Sequence, residues 1–159
     1  MHSPATAYIA LGANLGDRRK NLEDALAMLG ATPDVRVTAV SSFLDNPAVG
    51  GPADSPPFLN AAAELETSLA PIDLLHRLLE IERRLGRVRR EKWGPRKIDL
   101  DLLTYGEQII TTDELVLPHP RLGERRFVLQ PLAQIAADLP IPGLDASVIE
   151  LLRNEMRKG

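Results

Sequence analysis

Three features predict an α+β sandwich of the split βαβ kind: the order of the elements, the alternation of the strands and the apolar stripes of two helices. From the N-terminus the elements run strand, helix, strand, strand, helix, strand, the order of a ferredoxin-like βαββαβ sandwich, an antiparallel sheet with its helices on one face. The remainder of the chain, beyond the last of these strands, reads as a C-terminal elaboration. The 159 residues suit about one domain. No repeat or linker divides them, so one domain is expected over 1–159.

Ala5 to Leu11 is a short apolar run suited to a buried strand, ending at Gly12-Ala13-Asn14-Leu15-Gly16-Asp17. Asp17 can N-cap a helix whose Leu22, Ala25, Leu26 and Leu29 recur at i, i+3, i+4 and i+7, with Gly30 near its stop. Val35 to Phe43 alternates Val35, Val37, Ala39, Ser41 and Phe43 against Arg36, Thr38, Val40 and Ser42, which predicts a half-buried strand. The stretch from Asp45 to Pro57 holds four prolines and two glycines and is predicted to be a loop, of the length that is usually functional or disordered.

Phe58 to Glu66 alternates again, with Leu59, Ala61, Ala63 and Leu65 facing one way and Phe58, Asn60, Ala62, Glu64 and Glu66 the other. Pro71 suits the first turn of a helix with core positions Leu74, Leu78, Ile81 and Leu85, closed by Gly86. Ile98 to Thr104 is a strand with Ile98, Leu100 and Leu102 on one face and Asp99 and Asp101 on the other. Beyond it lie an edge strand near Gln108 to Ile110, five scattered prolines from Pro118 to Pro142 and an amphipathic stretch from Ala146 to Met156.

Composition narrows the function classes. With 44% apolar and 26% charged residues and a net charge of −3, the chain reads as globular and soluble rather than fibrous, disordered or membrane-spanning. The lack of cysteine removes disulfides, thiolate metal sites and cysteine nucleophiles. The apolar run Ala7 to Leu11 is too short for a signal-peptide core, so a cytoplasmic location is expected. Charge is strongly segregated. Arg83 to Lys97 carries eight of the nineteen basic residues and one of the twenty-two acidic ones, a local +7 against −10 elsewhere, which points to an anionic ligand met at one place or to a solvated basic helix end.

Asp99 and Asp101 leave the same strand face about 7 Å apart along the backbone, where two carboxylates repel unless a cation lies between them. Oxygen-only donors suit Mg²⁺, which takes one or two carboxylates and completes its shell with water and phosphate oxygens. Beside a basic segment, that pair points to phosphoryl chemistry. Trp93, the only tryptophan, next to Gly94-Pro95, suits a lid or an anchor for the loop. Phe58 and Asn60 share a face and can stack on and hydrogen-bond a flat polar heterocycle, or pack under the long loop. His119, held between Pro118 and Pro120 and succeeded by Arg121, Arg125, Arg126 and Phe127, is a candidate anion contact. The Gly12-to-Asp17 turn lacks the ending of a P-loop and reads as structural. Two rivals stay open at this point. One is a nucleic-acid-binding module, disfavoured by six aromatics and by acids on the candidate binding face; the other is a two-metal nucleotidyltransferase or nuclease.

The run Lys92-Trp93-Gly94-Pro95-Arg96-Lys97-Ile98-Asp99-Leu100-Asp101-Leu102-Leu103 resembles the signature of the 6-hydroxymethyl-7,8-dihydropterin pyrophosphokinases of folate biosynthesis. Further matches come in the same order along the chain: Ala7 to Gly12 with Asn14-Leu15-Gly16, Val40 to Phe43, Phe58 to Ala61, Gly86 to Arg89, and Pro118 to Arg121. The resemblance implies transfer of pyrophosphate from ATP to the pterin hydroxymethyl group, releasing AMP, with two Mg²⁺ ions on Asp99 and Asp101. It implies catalytic roles for Arg87 and Arg96 beside those two acids, and ATP contacts from Glu82, Arg89, Lys92, Trp93, His119 and Arg125. Phe58 and Phe127 would sandwich the pterin, with polar contacts from Asn60 and from the backbone around Asn46 and Gly50. The implied partners are two small molecules, without nucleic acid or membrane, and the chain is expected to act as a monomer. Three positions depart from common members: Asn46 stands where Thr is frequent, Phe58 where Tyr is frequent, and the basic loop is one residue shorter between Arg89 and Trp93.

Overall fold

A computed structural model describes residues 4–46, 57–86 and 98–158. The central sheet is antiparallel throughout. Its strands are β1 (Ala5–Ala13), β2 (Val35–Val40), β3 (Leu44–Asn46), β4 (Phe58–Thr67) and β5 (Asp99–Tyr105), in the spatial order β2-β4-β1-β5 with β3 also on β4. Helices α1 (Arg18–Gly30) and α2 (Pro71–Arg84) connect β1 to β2 and β4 to β5, giving the predicted ferredoxin-like order. Asp17 caps α1 by accepting the Lys20 N–H at 3.1 Å, and Pro71 sits in the first turn of α2, where its missing N–H costs nothing.

The apolar faces predicted by alternation are the ones that are buried. Ile9 and Leu11, Leu59 to Leu65 at alternate positions, and Leu100 and Leu102 pack against Leu22, Ala25 and Leu29 of α1 and Leu74, Leu78 and Ile81 of α2. A bulge opposite Tyr8 and Ile9 leaves Leu103 unpaired between Leu102 and Thr104.

Four details differ from the sequence reading. The predicted strand Val35 to Phe43 stops at Val40, because Ser41 turns its hydroxyl back onto the ladder and accepts the Ala62 N–H at 2.9 Å. Pairing with β4 resumes at Leu44, so Asp45 and Asn46, which fall in the predicted loop, are strand residues. The expected edge strand near Gln108 is instead β6 (Ile110–Thr111), paired with β7 (Val116–Leu117) in a separate ribbon. Helix α3 (Arg126–Ala136) has no counterpart among the expected elements, since Pro131 interrupts its pattern.

The C-terminal elaboration is a third layer. After α3 come a small ribbon of β8 (Pro140–Ile141) and β9 (Ala146–Ser147) and then α4 (Val148–Arg157). Val128, Leu129, Leu132, Val148 and Leu152 bury Tyr8, Ala10, Ala62 and Leu103 on the sheet face opposite α1 and α2. That second face is therefore covered at one end. Gly12, Asn60, Phe58, Asp99 and Asp101 occupy its other end.

Candidate active site

Strand register assembles the site. Leu44, Asn60, Gly12 and Asp99 form one row across β3, β4, β1 and β5. The row on one side pairs Asn46 with Phe58, and the row on the other sets Ala62, Ala10 and Asp101 in line. With strands about 4.8 Å apart, Asn60 and Asp99 stand about 10 Å apart across the glycine between them. Gly12 is where this floor needs no side chain: a Cβ there would lie 3.0 Å from Asn60 Nδ2 and 3.7 Å from the Phe58 ring. A flat gap thus separates an aromatic–amide pair from a carboxylate pair.

Asp99 and Asp101 are half-buried, and the strand that carries them is pinned from below. Glu82 of α2 is buried, and its Oε2 accepts the Leu100 N–H at 2.7 Å, on the free edge of β5 between the two aspartates. In sequence this residue is only a polar position beside an apolar stripe. Its Oε2 bond makes it a support for the acid pair, whatever else its carboxylate touches.

His119 approaches from the segment after β7. Its backbone N–H donates to Leu103 O at 2.9 Å, which extends the edge of β5, and its Nδ1 accepts the Arg121 N–H at 3.3 Å. That bond places the proton of the neutral ring on Nε2. Burial holds the imidazole below its usual pKa, Asp101 opposes that, and Arg125 and Arg121 add to it. Arg125 also caps α3 through its carbonyl, which accepts the Val128 and Leu129 N–H groups, and Phe127 lies half-buried in the first turn of that helix. The two rings expected on the pterin, Phe58 and Phe127, therefore come from the sheet and from the layer that covers it.

Among the predicted site residues, Gly50, Arg87, Arg89, Lys92, Trp93 and Arg96 lie outside the described residues. Asn46, Phe58, Asn60, Glu82, Asp99, Asp101, His119, Arg125 and Phe127 are described, and all belong to the sheet's second face, its β5 edge or the start of α3. Arg18, which nothing in the sequence signals, reaches Asp45 Oδ1 at 2.7 Å and Pro57 O at 3.1 Å, tying α1 to both flanks of the proline-rich segment. Asn14 belongs by sequence to a structural turn; its Oδ1 is buried and has no hydrogen-bond partner among the described residues.

The donor chemistry suits Mg²⁺. Both aspartates offer oxygen, and no group of three or more His, Cys, Asp or Glu side chains forms a metal cage among the described residues. One or two carboxylates are what Mg²⁺ takes from a protein when phosphate oxygens and water complete its coordination.

Comparison with known proteins shows which family the chain resembles. The chain is 46% identical over 136 residues to the 2-amino-4-hydroxy-6-hydroxymethyldihydropteridine pyrophosphokinase of Pseudomonas aeruginosa, covering 85% of this chain and 83% of that one. It is 50% identical over 129 residues to the enzyme of the same name from Bacillus subtilis, covering 81% and 77%. Its fold is similar to that of a crystal structure of HPPK-DHPS from Plasmodium falciparum, with a TM-score of 0.80 at 13% identity; the alignment covers 99% of this chain but only 46% of that longer one. Residues 8–137 match the family model described as 7,8-dihydro-6-hydroxymethylpterin-pyrophosphokinase (HPPK). With the acid pair, the amide and ring beside it and this match over most of its length, the chain belongs to the HPPK family.

Proposed function

We propose that the gap over Gly12 is where this pyrophosphokinase brings its two substrates together, the pterin over Phe58 and Asn60 and the ATP phosphates over Asp99 and Asp101. The observation that supports this most is the row Asn60–Gly12–Asp99. It sets a heterocycle platform and a carboxylate pair about 10 Å apart on one flat surface, a span suited to a bicyclic ring whose hydroxymethyl arm points at a phosphate chain. Phe58 and Phe127 stack on the ring, and Asn60 bonds its polar edge. Glu82, His119 and Arg125 act on the nucleotide side, with Arg89, Lys92 and Trp93 of the basic segment.

In the reaction the hydroxymethyl oxygen attacks the β-phosphorus of ATP, the bond from that phosphorus to the α,β-bridging oxygen breaks, AMP leaves and the hydroxyl proton is released. Two Mg²⁺ ions on Asp99 and Asp101 would neutralise the phosphate oxygens and orient the chain for in-line attack. Arg87 and Arg96 complement charge that builds on the transferred group. His119 donates a hydrogen bond from its Nε2–H to a phosphate oxygen, an orientation that its Nδ1 bond to the Arg121 N–H prepares. Asn46 and Gly50 close the pterin side through their backbone. On this reading the enzyme acts as one domain over 1–159 and as a monomer in the cytoplasm. Among the described residues no helix is long and apolar enough to cross a membrane.

Incubation with ATP, Mg²⁺ and 6-hydroxymethyl-7,8-dihydropterin should yield AMP and the pterin diphosphate. Formation of ADP, or pyrophosphate release without pterin modification, would place the chain in a different reaction class.

A further inference from the structure

We infer that Asn46 is a positioning residue that fixes which way the Asn60 amide faces, so that Asn60 presents a hydrogen-bond donor, not an acceptor, over Gly12. The inference rests on the reading that the pterin lies over Phe58 and Asn60.

The chain of assignment starts at a group that cannot be reversed. Leu44 O is a backbone carbonyl and can only accept, and it lies 3.4 Å from the Asn46 side-chain nitrogen. That nitrogen, Nδ2, also donates to Asn60 Oδ1 at 2.9 Å. The Asn60 atom facing Asn46 is thereby its oxygen. Its Nδ2 must then face the opposite way, along the row toward β1, where it sits 3.0 Å from the place a Cβ on Gly12 would occupy. Register makes the pairing possible: Asn46 is opposite Phe58 and Leu44 opposite Asn60, so the Asn46 amide reaches Asn60 diagonally on the same sheet face.

A free asparagine amide can turn over and offer either atom. Here the β3 backbone removes that freedom, and the site selects a ring edge that carries an acceptor, a carbonyl oxygen or an unprotonated ring nitrogen. An analogue with a donor at that edge leaves two donors facing each other and is rejected, because polar groups left unpaired under a bound ring are costly.

Asn46→Asp tests this. A carboxylate at 46 can only accept, so Asn60 turns its nitrogen to it and leaves its oxygen over Gly12. Calorimetry in the presence of a non-hydrolysable MgATP analogue should show a pterin Kd at least about tenfold weaker, with the affinity for the ATP analogue unchanged. Asn60→Asp, which puts an acceptor over Gly12 while Asn46 still donates to it, should lose pterin affinity in the same way, and serves also if Asn46→Asp lowers the yield of folded protein. In an Asn60→Ala background Asn46→Asp should have no further effect on pterin affinity, since its action runs through Asn60. A pterin Kd within twofold of wild type for Asn46→Asp, or an equal loss with and without Asn60, overturns the positioning role. Failure of the wild-type chain to bind the pterin at all would instead overturn the underlying reading.

Discussion

Single side chains at the sheet's open end have separable duties, and substitution can tell them apart. Asp99→Ala and Asp101→Ala should abolish turnover while leaving the fold intact, because each removes a proposed metal ligand from the sheet face turned away from the core under α1 and α2. Circular dichroism and AMP formation check the two halves of that statement, and EDTA should stop the wild-type reaction until Mg²⁺ is restored. Glu82→Ala acts differently. It leaves the Leu100 N–H without its bond at a buried position, which should lower unfolding free energy by about 1–3 kcal/mol. Glu82→Gln keeps an acceptor oxygen and should lose less, as denaturant midpoints would show. Gly12→Ala separates binding from stability in the opposite sense. The added Cβ meets the Asn60 amide at 3.0 Å, so pterin affinity should drop about tenfold or more, while thermal stability stays within a few degrees of wild type because the backbone of a strand tolerates alanine.

At the scale of elements, alternation makes the strand faces legible. Leu59, Ala61, Ala63 and Leu65 need only period two to be placed against the helices, and the same parity puts Asn60 and Phe58 on one face and Asp99 and Asp101 on another strand's counterpart of it. That these two faces are the same face, with Gly12 between them, depends on long-range register, which no local pattern encodes. Helix α3 is hidden because Pro131 is a breaker by local rules, and only burial of its Val128, Leu129 and Leu132 on the sheet outweighs the lost hydrogen bond. The break after Val40 is equally unreadable, since it depends on Ser41 finding Ala62 N–H across the sheet. Phe58→Ala should weaken pterin binding by about 1–3 kcal/mol, the scale of a lost base–aromatic stack, and leave the ATP affinity nearly unchanged; equal losses for both ligands would make Phe58 a packing residue. The last helix makes a prediction of its own. Ser147 and Glu150 form a capping box at the start of α4, and the Ser147 N–H bonded to the Glu150 carboxylate holds that acid below its usual pKa. A lowered folded pKa means the box stabilises the fold above the ordinary carboxylate value and loses that contribution as pH falls through the folded one. Urea midpoints should accordingly show a steeper acid-side decline for the wild type than for Glu150→Gln.

Across the whole molecule, charge is distributed so that an acidic protein carries one strongly basic stretch. Arg83 to Lys97 holds a net +7 while the remainder holds −10, and this stretch connects α2, which supports the acid pair through Glu82, to β5, which carries it. The basic residues and the acid pair are thus adjacent in the chain. A phosphate chain between them would be met by carboxylate-held metal on one side and guanidinium groups on the other. Since much of that attraction is electrostatic, MgATP affinity should fall as ionic strength rises and the Debye length shortens from about 10 Å at 0.1 M toward about 3 Å at 1 M. Pterin affinity, which the proposed site draws from stacking and amide contacts, should respond far less. Within the stretch, Arg96 should matter chiefly where charge on the transferred group changes. Arg96→Ala should therefore lower kcat about a hundredfold or more while raising the Kd of the ATP analogue only a few-fold. Arg96→Lys should recover part of the rate, because an ammonium keeps the charge but loses the planar fork. Arg157→Ala, on the last turn of α4 beside Asn154, removes the same unit of net charge and should change neither quantity, which separates a local role of Arg96 from the overall field. If Arg96→Ala instead raised the Kd and lowered kcat/KM by the same factor with kcat unchanged, the arginine would be a ground-state clamp on ATP, and the transition-state role would fall to Arg87.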